Sequence, residues 1–129
     1  DAALVLTSDV DQDGVTDWVR YALVDAESAA GGRLERSVVA ASGAPPRYDP
    51  AAATTETIAR GIRNGTQPIF TFYRTDYPTQ TSGNPLPAPT RLSDTRHIRV
   101  ELHINLDPAV IATTTVTAAA TIRNLREGL

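Results

Sequence analysis

With 129 residues the chain fits one domain, a size at which folding buries roughly two-thirds of the surface the unfolded chain exposes. Hydrophobic residues make up 41% and charged residues 21%, ordinary globular usage that argues against wholesale disorder and against a membrane-embedded body. The lack of cysteine excludes a disulfide framework, a thiolate zinc site and a cysteine nucleophile, and a net charge of −3 argues against nucleic acid as a partner.

All twelve basic residues are arginine, and no methionine occurs. A chain without its start residue reads as a processed product, so any targeting segment is expected to lie upstream. The longest apolar runs fall well short of the roughly 20 residues that a membrane helix needs.

Ala2 to Thr7 reads as a short apolar strand, and Trp18 to Val24 as its hairpin partner. In the second strand Val19, Tyr21 and Leu23 alternate with Arg20, the period of two that marks a half-buried strand. Gly31-Gly32 turns the chain into a third strand over Leu34 to Ala41. Gly43, Pro45 and Pro46 then break regular structure. A short helix is expected next: Asp49 as cap, Pro50 at the first helical position, Ile58 and Ile62 on one face, and Asn64-Gly65 as the stop. Ile69 to Arg74 is aromatic and β-branched, hence a strand.

Thr75 to Thr95 carries prolines, a glycine and small polar residues and reads as a long loop, with Tyr77 to Thr95 expected to be the most mobile part. From His97 to Leu106, Ile98, Val100, Leu102, Ile104 and Leu106 alternate strictly with polar neighbours, a strand with one buried face. Thr113 to Arg123 alternates again through Val116, Ala118, Ala120 and Ile122, so the last two strands are expected to pair. Short connections favour antiparallel pairing throughout. The expected fold class is therefore α+β and β-rich: an antiparallel sheet with one short helix, in a single domain over residues 1–129.

The pattern richest in chemistry is D-x-D-x-D-G-x-x-D, formed by Asp9, Asp11, Asp13, Gly14 and Asp17. A tight turn at Gly14 could converge the carboxylates on one hard cation, and oxygen-only ligation suits calcium. The same residues also serve a plain hairpin loop, because Asp and Gly favour turns. The closing acid of a complete EF-hand loop falls on Arg20, which excludes that motif and implies weak affinity. His97 and His103 lie about 20 Å apart along one strand and cannot share a metal. No serine-nucleophile or phosphate-cradling signature occurs, and Asp94 and Glu101 are ordinary surface acids. The chain is thus read as a non-enzyme. Asn64-Gly65-Thr66 matches a glycosylation acceptor as well as a helix stop. Trp18, Phe70, Phe72 and Tyr73 read as core, and Tyr48 and Tyr77 as the better binding candidates.

Three segments resemble the globular head of type IV pilin-like proteins, in particular minor pilins and minor pseudopilins of the J or W type. They are Leu6-Thr7-Ser8-Asp9 through Asp17-Trp18-Val19-Arg20-Tyr21, then Gly32-Arg33-Leu34-Glu35-Arg36, and Ile98-Arg99-Val100 with the ending Thr121-Ile122-Arg123-Asn124-Leu125. The resemblance implies a sheet with a helix along one face, completed by an upstream apolar helix. It also implies an extracytoplasmic location at the cell surface or in the periplasm, inner-membrane anchoring before assembly, and other pilin or pseudopilin subunits as partners. An apolar groove over Val100, Leu102, Val116 and Ala118 would then await that helix. The competing expectation is a calcium-stabilised secreted adhesion or carbohydrate-binding β-domain.

Overall fold

A computed structural model describes residues 2–74, 85–87, 94–107, 109 and 112–121. Seven strands form one antiparallel sheet: β1 (Ala3–Ser8), β2 (Asp17–Val24), β3 (Gly32–Val39), β4 (Thr54–Ile62), β5 (Phe70–Tyr73), β6 (His97–Ile104) and β7 (Thr114–Thr121). The strands β1 to β4 run as a meander. β7 covers one side of β6 along its whole length, from His97↔Thr121 to Ile104↔Thr114. Every strand but β4 falls where a strand is expected from the sequence, and the last two pair as expected. The long segment over 75–95, with Tyr77, lies largely outside the described residues.

The expected helix does not form. Asp49 does cap a turn, its carboxylate accepting from Ala51 N at 2.9 Å, but the turn is a single 3₁₀ unit over Pro50–Ala52. From Thr54 onward the chain is β4, because Thr54, Thr55, Thr57, Ile58 and Ile62 are β-branched and stiff at χ1, which favours a pleated surface. The apparent helical spacing of Ile58 and Ile62 was accidental: Ile58 is half exposed and Ile62 is buried at the centre. The fold is therefore all-β rather than α+β, with no helix of seven or more residues among those described. A sheet that bends into a near-barrel without a helix on its face is also unlike a pilin head, so the pilin resemblance does not hold. No described helix is long and apolar enough to cross a membrane.

Cover for the sheet comes from the sheet itself. Two register shifts in the β3–β4 ladder, at Gly32/Arg33 and Leu34/Glu35, sharpen its twist. The inner faces of both halves then meet in one cluster of Leu34, Ile62, Ile69, Phe70, Phe72, Leu86, Ile98 and Leu102, against which Leu4, Tyr21 and Leu23 pack. Each fully buried apolar side chain of this kind contributes about 1.5–3 kcal/mol. The groove expected to await an upstream helix is covered only on its β6 side: Leu102 is buried and Val100 half-buried, while Val116 and Ala118 on β7 stay exposed.

One junction links the halves. The second side of β6 is shared, β5 pairing with its first half and the end of β4 with its last residues. Arg63 N donates to His103 O at 2.7 Å and Asn105 N to Gly61 O at 2.9 Å. Between these two partners the chain leaves the ladder in a turn closed by Gln67 N to Asn64 O. The gap is filled by a side chain: Asn64 Nδ2 donates to Glu101 O at 2.8 Å, and His103 N donates to Asn64 Oδ1 at 2.9 Å. The ladder resumes where Glu101 N donates to Ile69 O. Gly61 makes the close approach possible, since at φ +70° an added Cβ would lie 2.8 Å from Asn105 O.

Replacing Asn64 by Ala strands a part-buried carbonyl and a part-buried N–H, so a loss of about 1–3 kcal/mol is expected in urea unfolding. Asn64→Asp keeps the acceptor for His103 N but loses the donor to Glu101 O and should also destabilise. Wild-type stability in both variants would show that the amide does not join the two strands.

Candidate functional site

The acidic hairpin loop joins β1 to β2 and is built from its own carboxylates. Gly14 N donates to Asp9 Oδ2 at 3.0 Å, Asp13 N to Asp11 Oδ1 at 3.3 Å and Val15 N to Asp13 Oδ1 at 2.7 Å. These are the local turns that Asp side chains form with backbone two or more residues on. Gly14 adopts φ +87°, open to glycine without steric cost.

The loop brings Asp9, Asp11 and Asp13 together with one carboxylate oxygen from each within 4.8 Å of the others, all exposed. Oxygen ligands of calcium lie 2.3–2.6 Å from the ion, so two ligands on opposite sides are separated by about 4.6–5.2 Å. The observed spread fits around one such ion. Asp17 stands outside this group. It is buried at the start of β2, and its Oδ2 accepts from Val10 N at 3.1 Å. Its role in the described structure is to close the loop at its base, next to Thr16, whose carbonyl accepts from Tyr48 Oη at 2.9 Å. Tyr48 is thereby committed to bracing the loop.

On the polar face of β6, Glu101 lies between Arg99 Nη2 at 3.2 Å and His103 Nε2 at 3.0 Å. The hydrogen bond with His103 lowers the Glu101 pKa below the ordinary carboxylate value; partial desolvation opposes this, and the charge of Arg99 adds to the lowering. His97, at the other end of the strand, meets Thr121 Oγ1 at 3.0 Å. Asp94 pairs with Arg74 at 2.9 Å. Glu101 and Asp94 thus each have a basic partner of their own. A cleft of about 250 Å³ lies at the junction, between the Gly31-Gly32 turn and Gly61. Arg33 and Asp25 in its wall pair with each other, and no histidine lines it.

Asn64 is the residue whose importance the sequence concealed. Its side chain is only 6% exposed and both amide atoms are held in the ladder, which leaves no free amide for a glycan. The signal available was Asn-Gly between two β-branched runs, which also fits a turn. Phe70, Phe72 and Tyr73 are buried as expected, and Trp18 half-buried.

No family model, curated protein or solved structure matches the chain. The functional reading therefore stands on the geometry of these sites.

The depressed pKa of Glu101 has a defined pH signature. A carboxyl with a lower pKa folded than unfolded adds stability above its unfolded value and loses it as pH falls through the folded one. The melting temperature of wild type should exceed that of Glu101→Gln at neutral pH, and the gap should close below about pH 4. A gap independent of pH would show that the charge of Glu101 is immaterial.

Proposed function

We propose that the chain is a calcium-stabilised, extracytoplasmic β-domain that serves as a structural or adhesive module rather than as an enzyme. The observation that carries this reading is the convergence of Asp9, Asp11 and Asp13 at the tip of the β1–β2 hairpin. Three carboxylates so close repel one another, and a divalent cation among them removes that repulsion. Each carboxylate spends one oxygen on a backbone N–H and keeps a second for an ion. The ligand set is short of the seven or so oxygens calcium prefers and lacks a bidentate closing acid, which places its affinity in the class of about 10⁻⁴–10⁻³ M. Sites of that class fill at the millimolar calcium found outside cells, and this supports the extracytoplasmic location.

Bound calcium would fix the hairpin, and with it the edge of the sheet that the hairpin begins. The polar face of β6 presents charged groups already paired with each other, an arrangement suited to a solvated surface.

Calcium titration followed by thermal unfolding tests the reading. At ten times the dissociation constant the folded state gains about 1.4 kcal/mol, so the melting temperature should rise with millimolar calcium and return on chelation. Asp11→Asn with Asp13→Asn should abolish the response. A melting temperature unmoved by millimolar calcium would reduce the loop to an ordinary turn and remove the support for this function.

A further inference from the structure

We infer that β7 is a self-association edge, at which two copies of this chain pair antiparallel about a two-fold axis to continue the sheet. The inference does not depend on calcium.

The first observation is the open edge. β7 bonds to β6 on one side through the full ladder, and among the described residues its only other hydrogen bond is His97 Nδ1 with Thr121 Oγ1. The outward row of N–H and C=O groups is therefore a template for another strand. The second observation is charge. The strands β2, β3, β4 and β6 each carry at least two charged or histidine side chains, among them Asp17, Arg20, Arg33, Glu35, Glu56 and Arg60. The end strands β1 and β7 carry none, and β7 reads Thr-Thr-Val-Thr-Ala-Ala-Ala-Thr. Natural sheets usually guard their edges with charges, prolines or bulges, and here the charges lie inside and the edges are bare. β5 is also uncharged, but its outer side is met by the chain at Leu86, whose N–H donates to Phe72 O.

The third observation selects β7 over β1. In β1, Leu4 already packs against the core. In β7 all eight residues are exposed, including Val116, Ala118 and Ala120, which stand opposite Leu102, Val100 and Ile98 on the core-facing side of β6. Among the described residues this strand lacks cover both at its edge and on its apolar face. The occupant that matches a neutral, β-branched edge with small apolar side chains is the same edge of a second copy. A two-fold axis normal to the sheet keeps like faces together, so Val116 of one copy meets small alanines of the other, and neither strand brings a charge to be desolvated. Closed two-fold pairing is also the commonest symmetry of soluble homo-oligomers.

Sedimentation velocity of the whole chain across a wide concentration range tests the proposal. A monomer–dimer equilibrium is expected, with the dissociation constant raised about tenfold or more by Val116→Lys or Ala119→Lys and unchanged by Val5→Lys on β1. Should a lysine variant fail to fold, amide exchange of wild type supplies the second measurement: protection in β7 should rise with protein concentration, while β2 and β3 stay constant. A monomer at every concentration overturns the proposal. Loss of association in Val5→Lys as well as in the β7 variants overturns it in favour of head-to-tail pairing of β1 with β7. Association with calcium absent separates this inference from the proposed function.

Discussion

The side-chain amide of Asn64 stands in for a peptide group, and the architecture turns on it. β6 needs a partner along both sides, but no single strand runs the length of its second side. The end of β4 serves one part and β5 another, and the chain between them has to leave the ladder. Asn is suited to bridge such a break, because its amide, like a peptide group, carries both an N–H donor and a carbonyl acceptor. With Glu101 O and His103 N satisfied, the two halves of the sheet share one continuous ladder and one core. Without it, two part-buried backbone groups would lose their partners, a costly arrangement.

From that junction the covering of the core follows. A flat sheet exposes one apolar face and requires a second layer. Here the register shifts in β3 and β4 and the close approach at Gly61 bend the sheet until its own faces meet. Ile62, the residue at the join, is 1% exposed, which places the link between the halves at the centre of the core. Over β3, β4, β5 and β6 this curvature provides the cover that a helix would otherwise give.

Among the described residues, two edges of the sheet stand out as places for interaction. The hairpin that opens the sheet ends in a carboxylate cluster held by its own backbone bonds, and β7, which closes it, is uncharged and exposed. The middle of the molecule spends its charges on internal pairs such as Arg36 with Glu56 and Glu101 with Arg99 and His103. Such partly exposed pairs contribute little stability individually, and they leave the flanks of the sheet in contact with solvent. A division between a solvated, charged middle and reactive ends is consistent with a module whose role is attachment or assembly.

What the sequence by itself determined was whatever depends on short-range periodicity. The alternation of Ile98, Val100, Leu102 and Ile104 settles β6 and its buried face, and the same alternation settles β2 and β7, because the side-chain period of a strand is a local property. The Asp-x-Asp-x-Asp-Gly loop was legible for a like reason, since its carboxylates bond to backbone within five residues. Tertiary structure decided the rest. Asp49-Pro50 announces a helix, yet the β-branched run after it gains more from pairing with β3, a strand some twenty residues earlier in the chain. Asp17 belongs to the acidic motif in sequence, but burial at the start of β2 turns its carboxylate to Val10 N. Asn64 carries the signature of a turn, and only its partners on β6, 37 and 39 residues away, make it the pin of the sheet. Contacts across such separations leave no period in the sequence, because they depend on where the chain returns rather than on what lies beside it.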